Sequence, residues 1–118
     1  MPPRVVSVEP FAEGSYGLTS KLKSEIQQMA KSIQKNHYKT VTLSGYTDNV
    51  FTPAFNVTLN QNRAKVVMTQ LSSDLSTLKV VGVTVTIVPG LSVVLVATNK
   101  TAKGRAENRR VVAMLKAT

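Results

Sequence analysis

The feature that constrains this chain most is a change of hydrophobic period within one stretch. Thr40-Val41-Thr42-Leu43-Ser44 alternates polar and apolar residues, the period of a strand with one buried face. Downstream, Ala64, Val67, Met68, Leu71 and Leu75 recur at the spacing of one helix face. Between them lie Gly45-Tyr46-Thr47-Asp48-Asn49 and a run from Asn56 to Arg63, so the stretch is a strand end, a loop and a helix start. Such junctions carry function more often than element interiors do. Helix side chains lean toward the N-terminus, so Arg63, expected in the second turn, can reach over the loop that holds Asp48. Asn56, Leu59 and Arg63 share one side of that helix by their spacing. An acid facing a base across a loop suits a small zwitterionic ligand.

The rest of the chain supplies partners for this unit. Residues 4–8 read as a short strand with Val6 and Val8 on one face, ended by Pro10, which cannot donate to a ladder. Residues 11–17 are a turn-rich connection with Phe11 as a core anchor. Thr19 is the expected N-cap of a helix over 20–35, without a Glu or Gln to complete a capping box. Its buried stripe is Leu22, Ile26, Met29, Ala30 and Ile33, and Asn36 is its expected stop. The second helix is expected to end near Asp74. Residues 83–88 alternate cleanly as a strand, and Pro89-Gly90 turns it. Residues 91–97 read either as a returning hairpin strand or as a loop. A basic helical turn then feeds a last strand over 111–115.

Of the 118 residues, 42% are hydrophobic and 18% charged, the composition of one globular domain spanning 1–118. With no Trp and only three Phe and three Tyr, Val, Leu and Ile must build the core. The formal charge of +9 favours polyanionic partners: nucleic acid, anionic lipid surfaces or anionic cell-wall polymers. The absence of Cys excludes disulfides, thiol catalysis and cysteine-ligated metals. His37, the one histidine, has no acidic or imidazole neighbour in sequence, so no metal site is expected. No catalytic motif, phosphate-cradling loop or carboxylate pair is visible, and no cofactor is implied. A nucleic-acid module is the alternative that charge alone suggests, but the sequence lacks an aromatic-basic stacking pattern, a helix-turn-helix signature and a zinc site. No signal peptide and no apolar run long enough to span a bilayer are present, so an anchor or export signal is expected outside this chain.

Gly45-Tyr46-Thr47-Asp48 followed by Asn56-x-x-Leu59-x-x-x-Arg63-Ala64 resembles the OmpA-like family, the C-terminal domain of outer membrane protein A, shared with peptidoglycan-associated lipoprotein and flagellar stator proteins. A second stretch, Asn99-x-Thr101-x-x-Gly104-Arg105-Ala106-x-Asn108-Arg109-Arg110-Val111, is similar to the family's other signature, and the resemblance covers 11–111. The chain departs from the family at Phe51, where Gly is common, at Asn60, where Ser is frequent, and in the apolar run before Val96.

The resemblance implies an α+β two-layer sandwich of order β-α-β-α-β-β, with two main helices on one face of a mixed sheet. It implies non-covalent binding of the diaminopimelate of the peptidoglycan stem peptide, tethering a protein or membrane to the wall from a cell-envelope location. Asp48 would accept from the ligand ammonium and Arg63 would fork onto its carboxylate. Asn56 and backbone N–H groups at the start of the second helix would donate to remaining oxygens. Thr47 would orient the loop, Leu59 would line the pocket, and Arg109 would supply a third charge. Arg105 and Arg110 read as structural. Phe51 and Phe55 either wall the pocket or pack on the sheet. The domain is expected to be cut from a longer exported protein, with anionic wall polymers as additional partners and its oligomeric state open.

Overall fold

The computed structural model describes residues 2–48, 52–88 and 99–118. In chain order the elements are β1 (Arg4–Val8), α1 (Ser20–Asn36), β2 (Thr40–Gly45), α2 (Pro53–Thr77), β3 (Thr84–Ile87), α3 (Ala102–Asn108) and β4 (Val111–Lys116). The strands form a mixed sheet of order β1-β4-β2-β3, in which β3 runs parallel to β2 while β4 runs antiparallel to both β1 and β2.

Register explains the core. Val41 lies opposite Leu115, Leu43 opposite Ala113 and Gly45 opposite Val111, and all six are buried. On the neighbouring strands Val6 and Val8 face Ala113 and Val111, and Val85 and Ile87 face Val41 and Leu43. A strand period of two thus puts the buried apolar positions on one side of the sheet, while Val5, Val112 and Met114 fall on the other. That other side also carries Thr40, Thr42, Ser44, Thr84 and Thr86, which suits a face open to water.

Both long helices cover the apolar face, α1 against β1 and α2, and α2 over β2, β3 and β4. Leu22, Ile26, Met29, Ala30 and Ile33 are the buried residues of α1, the stripe its spacing predicts. Thr19 Oγ1 accepts from the Leu22 N–H at 3.2 Å, as expected of the N-cap. The expected stop shifts by one residue: Asn36 is still helical, its Nδ2 donating to Ser32 O at 3.1 Å, and His37 takes the left-handed cap with φ 58°.

Helix α2 is longer than expected at both ends. Thr52 caps it, its hydroxyl accepting from the Phe55 N–H at 3.3 Å, and Pro53 occupies the first turn where no N–H is needed. Residues 53–55 are therefore helical rather than loop. At the far end Leu75 is still buried, so the helix runs past Asp74 to Thr77. Residues 89–98, and with them the choice between hairpin and loop, lie outside the described residues.

Candidate functional site

The site forms where β2 ends. Gly45, the last residue of that strand, passes so close to α2 that a Cβ there would run into the backbone carbonyl of Asn60. Glycine alone permits this approach, which brings Tyr46, Thr47 and Asp48 directly over the first half of α2. That half buries polar residues, Asn56, Asn60 and Arg63, whereas the second half buries Ala64, Val67, Leu71 and Leu75. Leu59 is also buried, yet it stands apart from the main hydrophobic core.

Arg63 is the largest fully buried side chain. Because α2 starts at Pro53, Arg63 sits in its third turn rather than the second. Its Nε donates to Ser15 O at 2.8 Å, its Nη1 to Tyr46 O at 3.0 Å and its Nη2 to Ala12 O at 3.0 Å. The Phe11 ring closes the cup, with the guanidinium carbon 5.2 Å from its centroid. One cation thus ties the connection 11–17 to the β2 end. Burial lowers its pKa to about 10, Asp48 opposes that shift and Arg109 adds to it. Arg63 stays charged at neutral pH.

Asp48 is also fully buried, and its direct partner is Arg109: Nη1 donates to Oδ2 at 3.2 Å. The Asp48–Arg63 facing expected from spacing is therefore a charge–charge interaction, while the hydrogen bond goes to the residue expected as the third charge. Asp48 Oδ1 and Thr47 Oγ1 are buried and have no hydrogen-bond partner. A buried carboxylate oxygen without a donor is costly unless something completes it.

Arg109 is held from the other side by Phe11. Its Nε donates to Phe11 O at 2.7 Å, and the Phe11 N–H donates to its carbonyl at 2.9 Å. Its side chain keeps 16% exposure, which places it at the rim of the site. The second motif is the mount for this residue. Thr101 Oγ1 caps α3 by accepting from the Gly104 N–H at 3.0 Å, and Asn108 Nδ2 donates to Asn99 Oδ1 at 3.0 Å. Arg105 donates to Asn99 O, and Arg110 donates to Glu107 O and Ser7 Oγ and pairs with Glu9, all internal ties.

The structure thus gathers Thr47, Asp48, Arg63 and Arg109, with Asn56 and Leu59 buried nearby on α2. The Asn56 N–H is taken by Thr52 O at 2.9 Å, so that backbone donor belongs to the helix and is not offered to a ligand. Phe55 is 46% exposed, while Phe51 lies outside the described residues. The sequence reading missed the carbonyls of Ala12, Ser15 and Tyr46 as partners of Arg63. Backbone acceptors leave no mark in a sequence; the only signal was the turn-rich composition of 11–17. Two guanidiniums against one carboxylate leave the site with excess positive charge, and that carboxylate keeps one oxygen without a hydrogen-bond donor. Among the described residues no group of three or more His, Cys, Asp or Glu is placed to hold a metal ion, and no helix is long and apolar enough to cross a membrane.

Comparison with known proteins identifies the family and the fold. The family model described as the OmpA family matches residues 10–110. A protein of Escherichia coli (strain K12) named as the lipoprotein YfiB is 32% identical, over 89% of this chain and 64% of its own length. The chain thus spans slightly under two thirds of that curated relative. Among solved structures, the cell wall anchor of the T6SS from Pseudomonas aeruginosa superposes with a TM-score of 0.74 at 27% identity, covering 98% of this chain and 82% of that one. The peptidoglycan-associated lipoprotein from Burkholderia pseudomallei superposes with a TM-score of 0.73 at 26% identity, covering 94% of this chain and 90% of that one. On the match over residues 10–110, the chain belongs to the OmpA family.

Proposed function

We propose that this domain binds cell-wall peptidoglycan without covalent chemistry, through the free end of the diaminopimelate in the stem peptide. The observation that carries the reading is the buried Asp48 with an unpaired Oδ1 beside two guanidiniums. The free end of diaminopimelate presents an ammonium and a carboxylate on one carbon. The ammonium donates to Asp48 Oδ1, and the carboxylate goes to Arg109 at the rim, with the charge of the buried Arg63 beneath it. Thr47 offers a second oxygen, and Asn56 and Leu59 complete the α2 side of the pocket.

Two relatives support the reading: one is named as peptidoglycan-associated and another as a cell wall anchor. On this reading the domain works in the bacterial cell envelope as a non-catalytic tether to the wall, which those two names support.

The test is co-sedimentation with purified peptidoglycan stripped of attached polymers, beside duplex DNA, followed by calorimetry with soluble stem peptides. A lysine stem peptide keeps the ammonium and lacks the carboxylate. A lost charge-assisted hydrogen bond of roughly 1.5–3 kcal/mol predicts about ten- to a hundredfold weaker binding. Equal affinities for the two peptides would defeat the diaminopimelate assignment, and preferential, salt-resistant binding to DNA would defeat the whole reading.

A further inference from the structure

A groove of about 470 Å³ lies between the start of α1 and the middle of α2, lined by Tyr16, Leu18, Lys23, Lys65, Val66 and Gln70 among others. None of its lining residues belongs to the site described above. The two are nevertheless joined through one short connection: Ala12 and Ser15 give their carbonyls to Arg63, while Tyr16 and Leu18 wall the groove. Groove size is in the range of small-ligand sites.

Its chemistry is specific. The Tyr16 ring is 47% exposed beside the aliphatic Leu18 and Val66, an apolar wall of the kind that takes the C–H face of a pyranose ring. Gln70 Nε2 is committed to Asp74 Oδ1 at 3.0 Å, which orients its carbonyl oxygen as an acceptor for a hydroxyl or an acetamido N–H. Lys23 and Lys65 add donors for hydroxyl and acetyl oxygens, and no acid lines the groove.

We propose that this groove is a second subsite that binds the glycan strand of the wall polymer, an inference that rests on the peptidoglycan reading above. The stem peptide hangs from that strand, so two neighbouring subsites engage one polymer. The second contact then forms at high effective concentration and strengthens the first.

The experiment is an amide NMR titration of the full chain with a neutral β-1,4-linked N-acetylglucosamine tetramer, run beside a soluble diaminopimelate stem peptide. The tetramer is expected to shift Tyr16, Lys65 and Gln70 and to leave Asp48 and Arg109 unmoved. Tyr16→Ala, a change at an exposed side chain, is expected to weaken tetramer binding at least tenfold while leaving stem-peptide affinity within twofold. A domain that binds the stem peptide but not the tetramer overturns the groove assignment and leaves the pocket intact. Tetramer shifts located elsewhere, or a groove that responds to dextran sulfate and not to the neutral tetramer, also overturn it. Tetramer binding in the groove without stem-peptide binding supports the glycan subsite and refutes the pocket.

Discussion

Arg109 and Asp48 meet in a 3.2 Å ion pair although 61 residues separate them in sequence. The sheet register is the cause. Gly45, at the end of β2, pairs with Val111, at the start of antiparallel β4, so the residues just after one strand and just before the other arrive at the same sheet end. The β2–β4 hydrogen-bond ladder thereby brings together a charge pair that lies outside it.

Asp48→Asn keeps the shape of the side chain and removes its charge. Both guanidiniums then lose their counter-charge, and the ligand ammonium keeps at most a neutral amide oxygen as acceptor. Because Arg109 retains some exposure, the expected loss of stability is about 2–4 kcal/mol, at or below the range for breaking a buried pair. Stem-peptide affinity is expected to fall by at least tenfold. Urea unfolding and calorimetry read the two effects, and a folded variant that binds normally would remove Asp48 from the pocket.

Arg63→Lys tests whether burial really opposes the cation. A lysine starts from a pKa of ~10.4, and the same burial would lower it in the folded state. Between the folded and unfolded values the unfolded chain binds more protons than the folded one, so the stability of the variant rises with pH. For Arg63 itself the corresponding window lies above about 10, beyond the working range. The stability gap between variant and parent is therefore expected to narrow as the pH rises from ~7 to ~10. A gap independent of pH would show that the site solvates the cation.

Arg109→Gln addresses ligand reading with less damage to the scaffold. The variant is expected to bind the diaminopimelate peptide nearly as weakly as the lysine peptide, shrinking their ratio to less than about threefold. Calorimetry with both peptides checks it. An undiminished ratio would assign the carboxylate to Arg63 alone.

Gly45→Ala probes the approach of β2 to α2. The added methyl meets the Asn60 backbone, which cannot turn aside as a flexible side chain would. A loss of about 1–3 kcal/mol is expected from overpacking, together with weaker stem-peptide binding as the 46–48 segment lifts off α2. A stable variant with unchanged affinity would mean that the close approach has no role in shaping the site.

Local periodicity was sufficient for the strands, the α1 stripe and the Thr19 cap, because each depends on residues a few positions apart. The start of α2 was equally local, in the pair Thr52-Pro53, although the segment before Asn56 was expected as a loop. The end of α2 was harder to place, since no glycine or basic residue marks it and the burial of Leu75 carries it onward.

For the site, the sequence by itself determined the inventory: an acid after a strand, a base on the following helix and a second arginine in a basic turn near the chain end. Residue type and order are sufficient to name the charges that a zwitterion would need. Only the tertiary structure decided how those charges are partnered. Arg63 is spent on the carbonyls of Ala12, Ser15 and Tyr46, and Asp48 is given to Arg109. The reason is physical: a buried guanidinium takes whichever oxygens the chain brings within about 3 Å. Backbone oxygens are identical at every position, so sequence cannot distinguish the ones that the sheet register and the 11–17 connection deliver.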